Sequence, residues 1–212
     1  MAQPDGRQMW DISQKLRPSL PVWPGDTPFG GEATWKIADG SPVNVSRLTL
    51  STHSGAHADA PLHYAADAAD IASVDLEPYL GGCQVIDARA AGALIGPEFA
   101  DDLVETKRVL FRTYDGFPHD EWDESFTAIA PETIVRLAAQ GVRLVGLDAP
   151  SLDPQNSKSM DAHKAVLAAD MRVLEGLVLD HVPPGRYELI ALPLAIEDAD
   201  ASPVRAILRS LT

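Results

Sequence analysis

The sequence predicts an α/β protein in which short buried strands and helices follow one another along one chain. Runs rich in Val, Ile and Leu, each bounded by turn residues, are typical of strands. One segment opens on a proline, continues with apolar residues at helical spacing and ends at a glycine, which is typical of an amphipathic helix. This mixture favours an α/β domain and leaves the order of the strands open.

Five strands and two helices are predicted from these patterns. The predicted strands cover 43–50, 84–88, 108–114, 142–147 and 187–194. The clearer helix covers 131–140, because Pro131 suits a first helical turn, and a second helix is expected over 160–170. The strand at 142–147 leads into the loop 148–150, and α/β proteins commonly place ligand-binding groups in such loops.

Length, composition and charge limit the classes of protein. The 212 residues suffice for one sizeable hydrophobic core, so we expect a single domain over 1–212. Hydrophobic residues make up 45% and charged residues 23%, and no apolar run approaches the ~20 residues of a membrane-spanning helix. The formal charge of −14 would repel phosphate backbones, so we expect neither a nucleic-acid nor a membrane partner.

The N-terminus and the cysteine count indicate the compartment. Residues 1–7 lack the apolar core of a signal peptide, which favours a cytoplasmic location. The single cysteine, Cys83, excludes an intramolecular disulfide and a cluster of thiolate ligands. Because Cys83 precedes an apolar stretch, we expect a buried, inert thiol rather than a nucleophile.

Four potential metal ligands lie within eleven residues of one segment. They are His53, His57, Asp59 and His63. Imidazole and carboxylate groups are the usual ligands of Zn²⁺ and similar ions, and four odd positions would face one side of an extended segment. Gly55 and Pro61 argue against a continuous helix here, so a strand end opening into a loop is expected. The alternative is a polar strand end whose histidines bind backbone carbonyls.

Further ligands have to come from elsewhere in the chain. His163 lies in the second predicted helix, and Glu175 interrupts an apolar run, where an unpaired carboxylate costs free energy unless it binds a metal. These two residues are the distant candidates. His119 and His181 have acidic neighbours, for which a solvated loop is the simplest interpretation.

The segment 53–63, which reads HSGAHADAPLH, resembles the H-x-G-[TA]-H-x-D-x-P-x-H signature of the metal-dependent cyclase family. The supporting stretches are 10–13, 21–26, 43–46, 163–179 and 202–206. Trp23 and the pair of His163 and Glu175 indicate the formamidase branch of that family. Ala56 stands where many members of the wider family have threonine, and alanine is usual in this branch.

The resemblance implies a fold, a cofactor and a role for each residue. The implied fold is a swivelling β/β/α-type domain with a mixed sheet, and the implied assembly is a homodimer. The implied cofactor is a pair of zinc ions, with Mn²⁺ or Co²⁺ as possible substitutes. The implied ligands are His53, His57 and Asp59 for the first ion, with Asp59 bridging to a second ion on His163 and Glu175. His63 is implied as the catalytic acid/base and Trp23 as a wall for an aromatic substrate.

Two of these implied roles have an alternative. His63 could be a third ligand of the first ion, because spacing alone does not separate a ligand from a base. Trp23 could simply pack over the edge of the core, as tryptophan in a proline-rich loop often does.

The expected activity is hydrolysis of N-formyl-L-kynurenine to L-kynurenine and formate, in tryptophan degradation by the kynurenine pathway. One alternative is a sibling amide hydrolase of the same family, such as an isatin hydrolase. Another is a non-catalytic binding protein that holds its metal for structure alone. Structural zinc sites are usually closed and often use cysteine, so a set without cysteine and with a spare histidine disfavours that alternative.

Overall fold

The computed structural model describes residues 6–211; Met1 to Asp5, on which the expected location partly depends, lie outside the described residues, as does Thr212. The strands are β1 (Met9–Asp11), β2 (Gly30–Trp35), β3 (Val45–Thr49), β4 (His57–Asp59), β5 (Leu80–Asp87), β6 (Leu94–Ile95), β7 (Arg108–Arg112), β8 (Ala128–Ile129), β9 (Leu144–Leu147), β10 (Arg172–Glu175), β11 (Gly185–Ile190), β12 (Ala201–Pro203) and β13 (Ile207–Arg209). The helices are α1 (Pro131–Ala139) and α2 (Asp161–Ala168). Each of the five predicted strands and both predicted helices is confirmed, with ends that differ by a few residues.

Nine of the strands form one mixed sheet, so the predicted α/β class is confirmed. Their order is β1-β13-β11-β5-β7-β9-β10-β4-β12. The central strands β5, β7, β9 and β10 run parallel, whereas the pairs on both flanks are antiparallel. The sheet takes strands from near both ends of the chain, while the single-domain boundary of 1–212 stays a prediction.

The central strands are buried on both faces. Strand geometry points alternate side chains to opposite faces, so Leu110 and Leu174 pack in one cluster while Val109, Phe111 and Val173 pack in the other. Both helices contribute to the second cluster, and this double cover explains why the parallel strands read as continuous apolar runs. Among residues 6–211, no helix is long and apolar enough to cross a bilayer.

Two further features are a separate pair of strands and the single cysteine. Strands β2 and β3 pair with each other rather than with the large sheet, and Trp35 and Leu48 on them are mainly exposed. Cys83 is buried in the core, and burial raises the pKa of its thiol to about 12. The prediction of a buried thiol is therefore confirmed, and its inertness stays a prediction.

The register of the short strand β4 decides which residues meet. On one side, Glu175 at the end of β10 lies opposite His57, and Val173 lies opposite Asp59. On the other side, β12 pairs so that Ala201 lies opposite Asp59. Residues more than one hundred positions apart are thereby brought to the two edges of β4.

Candidate metal centre

The segment 53–63 contributes four side chains to one place, although only part of it is a strand. His57 and Asp59 lie two residues apart on β4, so their side chains share a face of the sheet. His53 lies in the turn before β4, and His63 ends a short 3₁₀ turn after it. The flanking turns, rather than strand alternation, bring the rings of His53 and His63 to 4.3 Å between centroids.

The carboxylate of Asp59 lies at the middle of this group. Its Oδ1 is 3.2 Å from His53 Nδ1 and 3.5 Å from His57 Nε2. Its Oδ2 is 3.4 Å from Nε2 of His163, which is supplied by helix α2. The two oxygens of one carboxylate therefore face two different sets of imidazoles.

Glu175 closes the group from the end of strand β10. Its Oε2 is 3.3 Å from His57 Nε2, and its Oε1 is 3.4 Å from His163 Nε2. The backbone N–H of Leu152 donates to the same Oε1 at 2.7 Å and holds this carboxylate in place. Glu175 therefore contacts one histidine from each side of Asp59.

Three sets of ligand atoms in residues 6–211 lie within 4.8 Å of one another. They are His53 with His57 and Asp59; Asp59 with His63 and His163; and His53 with His63 and Asp200. Glu175 is in none of these sets and joins the centre through its two pairwise contacts. All five predicted metal ligands therefore meet at one place.

Three of the imidazoles are oriented through their second ring nitrogen. His163 Nδ1 is 2.6 Å from Asp153 Oδ2, and His57 Nδ1 is 2.9 Å from the carbonyl oxygen of Gly55. His53 Nε2 is 3.0 Å from Asp200 Oδ2. Metal-binding histidines usually engage a carboxylate or carbonyl in this way, which directs the other nitrogen at the ion.

The burial of the central polar atoms tests whether a metal fits here. The side chains of His57, Asp59 and His163 are at most 4% exposed. Nε2 of both histidines and both oxygens of Asp59 have no hydrogen-bond partner among the described residues. Buried polar atoms without partners cost several kcal/mol, of order 2–7 each without compensation, and a cation among them removes that cost. The nitrogen and oxygen donors suit a divalent transition ion.

The pKa shifts of the metal-free centre indicate the same need for positive charge. Burial opposes ionisation of Asp59, but the imidazoles of His163 and His53 outweigh it and hold the pKa of its carboxyl well below the usual range. Burial alone would lower the pKa of His53, yet Asp200 and Asp59 raise it to about 10. The pKa of His163 is raised well above its ordinary value by Asp153, Asp59 and Glu175, against the effect of burial. Without metal, protons supply the charge that the carboxylates require.

A cavity of about 570 Å³ opens onto this centre. Its wall includes His53, His57, His63 and Glu175 of the cluster. The aromatic residues on the wall are Trp23, Tyr114, Phe117 and Trp122. The predicted ligand-binding loop 148–150 also contributes to the wall, through Asp148 and Pro150. Burial raises the pKa of Asp148 to about 6, and its Oδ1 accepts hydrogen bonds from the backbone and hydroxyl of Thr113.

Trp23 combines both interpretations made from the sequence. Its ring packs edge-on against Trp122 at 5.5 Å between centroids and near Phe126 at 6.3 Å, so it does cover an edge of the core. The same ring lines the cavity.

The remaining histidines, His119 and His181, are exposed in loops, as expected.

Two acidic residues that sequence reasoning missed complete the centre. Asp153 accepts from the ring of His163 and lies just after the predicted loop 148–150. Asp200 contacts the rings of His53 and His63, at 3.0 Å and 3.2 Å. The position of Asp153 after a strand end was a usable signal, whereas Asp200 lies in an acidic stretch that reads as solvated surface.

A close backbone approach joins the two halves of the centre. Gly176, directly after Glu175, has a φ of +63°, and a Cβ at this position would lie 2.5 Å from the carbonyl oxygen of Gly55. Real Cβ atoms do not approach a backbone oxygen so closely, so only glycine fits here. The turn before β4, which carries His53, and the end of the strand that carries Glu175 are thereby held in direct contact.

Sequence comparisons agree with this geometry. Residues 10–154 match a family model described as "Putative cyclase". A kynurenine formamidase from Erythrobacter litoralis is 61% identical over 205 residues, covering 97% of this chain and 95% of that protein. A kynurenine formamidase from Maricaulis maris is 59% identical over 206 residues, covering 96% and 99% of the two chains.

Two solved structures with the same fold are described as hydrolases. One is described as a potential metal-dependent hydrolase with cyclase activity; it has a TM-score of 0.83 and 27% identity, over 97% of this chain and 99% of its own. An isatin hydrolase bound to the product analogue thioisatinate has a TM-score of 0.83 and 22% identity, over 96% and 92% of the two chains. At 22% identity, the second likeness concerns the fold alone.

Proposed function

This chain belongs to the cyclase family, and on that premise we propose that it hydrolyses N-formyl-L-kynurenine to L-kynurenine and formate, as in tryptophan degradation. One observation carries the proposal: two kynurenine formamidases are 61% and 59% identical to this chain over nearly its full length. The cavity supports it, because its aromatic wall adjoins the metal centre. A drug-sized aromatic substrate typically occupies a cavity of about 300–1,000 Å³.

The proposed cofactor is a pair of Zn²⁺ ions. His53, His57 and Asp59 would hold the first, and Asp59 would be shared with a second on His163 and Glu175. The contacts of Asp59 support this assignment, because its Oδ1 faces His53 and His57 whereas its Oδ2 faces His163. The same ligands accept Mn²⁺ or Co²⁺. When bound, the metal supplies an activated water and a polarised formyl carbonyl.

His63 is proposed as the acid/base rather than as a third ligand. The cavity reaches it, its side chain is 31% exposed, and its Nδ1 is engaged by Asp200 at 3.2 Å. The buried unpartnered nitrogens belong instead to His57 and His163. As the amide C–N bond breaks, the departing aniline nitrogen requires a proton, and His63 is the group that delivers it. Such catalysis typically accelerates a reaction by about 10²–10⁴-fold.

Trp23 is proposed to position the aryl ring of the substrate. Its contacts with Trp122 and Phe126 fix the indole as a rigid wall, so little side-chain entropy is lost on binding.

The homodimer and the cytoplasmic location expected from the sequence belong to the same proposal. Light scattering of the purified protein tests the dimer.

The competing functions are weaker on specific grounds. An isatin hydrolase shares the fold but only 22% of the sequence. A purely structural metal site would be closed to solvent, whereas a cavity of about 570 Å³ opens onto this cluster.

A comparison of substrates tests the proposed function. Purified protein should hydrolyse N-formyl-L-kynurenine in preference to isatin, lose activity on chelation and regain it with Zn²⁺. In Trp23→Leu, KM for N-formyl-L-kynurenine should rise several-fold with a smaller change in kcat, because binding loses a flat apolar wall. Faster hydrolysis of isatin, or activity that survives chelation, would contradict the proposal.

A further inference from the structure

We propose that Asp200 is a positioning residue that fixes the ring nitrogens of His63 and His53 at the same time. This inference rests on the proposed function, because it concerns proton delivery by His63. Asp200 lies in the loop directly before β12, at the open side of the metal centre. Its carboxylate touches one residue proposed as a ligand and one proposed as the acid/base.

A single carboxylate oxygen makes both contacts. Asp200 Oδ2 is 3.2 Å from His63 Nδ1 and 3.0 Å from His53 Nε2. The other oxygen, Oδ1, accepts a hydrogen bond from the hydroxyl of Thr52 at 2.9 Å. Both oxygens of Asp200 are therefore committed to the segment around His53 and His63.

The sheet holds this carboxylate in position. The backbone N–H of Ala60 donates to the carbonyl oxygen of Asp200 at 2.8 Å, and Ala201 pairs with Asp59 in the β4–β12 ladder. Asp200 is thus fixed relative to Asp59 by the backbone, not only by its own side chain. This distinguishes it from a surface acid, although its side chain is 41% exposed.

An ionised carboxylate only accepts hydrogen bonds, so each ring must present an N–H to Asp200. His63 then carries its proton on Nδ1 and turns Nε2 towards the reaction. His53 carries its proton on Nε2 and turns Nδ1 towards Asp59. One oxygen therefore sets the tautomer of both rings, a role that carboxylates commonly have beside metal-binding histidines.

The proton balance of the reaction shows why the tautomer of His63 matters. Water adds its oxygen to the formyl carbon and gives a proton to His63 Nε2. The C–N bonding pair then leaves with the aniline nitrogen, and Nε2 returns that proton to form the new N–H bond. The products are the free amine and formic acid, which releases its remaining proton to solvent as formate, and Nδ1 of His63 stays protonated against Asp200 throughout. With the opposite tautomer, Nε2 would have no lone pair to accept the first proton.

The central test replaces Asp200 by Asn and compares it with Asp198→Asn. Asp198 is an exposed acid of the same loop, so its variant removes the same charge without touching either histidine. We expect Asp200→Asn to lower kcat by about 10–100-fold with KM nearly unchanged, and Asp200→Glu to regain part of the loss. Metal content, measured by mass spectrometry, should equal that of the wild type. The control should resemble the wild type throughout.

A double variant separates positioning from a general structural effect. At saturating Zn²⁺, which keeps His53 on the metal, the further change Asp200→Asn in a His63→Gln background should have almost no effect on kcat, because the ring that transfers the proton is already absent. For formanilides with electron-withdrawing rings, whose anilines leave more readily, the kcat deficit of Asp200→Asn should shrink. Equal losses in both backgrounds, or failure of Asp200→Asn to bind metal even at saturating Zn²⁺, would overturn the proposal; the latter would make Asp200 a ligand.

One measurement requires neither a variant nor a substrate. Two-bond ¹H–¹⁵N correlation spectra of the zinc-loaded wild type should identify His63 as the Nδ1–H tautomer. The opposite tautomer would overturn the inference even if the protein were an active formamidase. Conversely, the expected tautomer in a protein inactive on N-formyl-L-kynurenine would leave Asp200 assigned and reject the proposed substrate instead.

Discussion

The two carboxylate–histidine pairs of the centre differ sharply in their exposure to solvent. On one side, His163 and Asp153 are 1% and 5% exposed. On the other, Asp200 is 41% exposed and its partners His53 and His63 are 20% and 31% exposed. The same chemical pairing therefore occurs once in the interior and once with partial exposure to solvent.

The secondary structure around each pair explains this difference. Asp153 accepts the backbone N–H groups of Ala162 and His163 at the start of α2, where the helix dipole favours a negative charge. Asp200 instead lies on a loop at the edge of the sheet. We infer that the interior pair holds metal in a fixed geometry and that the open pair exchanges protons with the substrate.

The largest expected effect comes from removing the interior histidine. His163→Ala should lose about one of two metal ions per chain and lower kcat by about 10³-fold or more, because the second ion loses a ligand that solvent cannot easily replace. Metal analysis and steady-state kinetics on the same preparation measure both effects. Retention of two ions in this variant would contradict the assignment of His163.

A smaller effect is expected at the residue behind His163. Asp153→Asn should weaken metal binding by about 10–100-fold, while kcat at saturating metal stays close to that of the wild type. Titration with a competing chelator gives the affinity. This is the reverse of the pattern expected for Asp200→Asn. If Asp153→Asn lost kcat but kept normal metal affinity, the two carboxylates would not have the different roles proposed here.

The smallest expected effect is the dependence of metal uptake on pH. In the metal-free protein the neighbouring carboxylates raise the pKa of His53 to about 10 and that of His163 well above its ordinary value, so both rings hold a proton more tightly than a free imidazole does. Metal binding must displace these protons, so the apparent affinity should rise with pH, by about tenfold per unit for each proton displaced. Calorimetry in buffers of different ionisation enthalpy counts the protons released, and uptake independent of pH would contradict the shifts.

The sequence was most informative where ligands lie close together in the chain. The set of His53, His57, Asp59 and His63 stood out because four potential ligands share eleven residues, and Glu175 stood out because a carboxylate interrupts an apolar run. The central parallel strands were predictable because burial on both faces leaves a continuous apolar signal.

The rest of the centre depends on register, which has no local signal. Strands β4 and β12 have three residues each, too few to show a period, yet their pairing brings Asp200 to His63. Among 31 acidic residues, Asp153 is marked only by its position after a strand end, and nothing in the sequence marks Asp200 as different from solvated surface. Their assignment required the three-dimensional positions of the histidines.

The contact between Gly176 and Gly55 bears on how this enzyme could be re-engineered for other amides. Any side chain at 176 would push against the carbonyl oxygen of Gly55, so we expect it to separate Glu175 from His57. Directed-evolution libraries should leave both glycines fixed. Diversity is better placed on the aromatic wall, at Trp23, Phe117 and Trp122, where a new shape changes which substrate fits without moving a ligand.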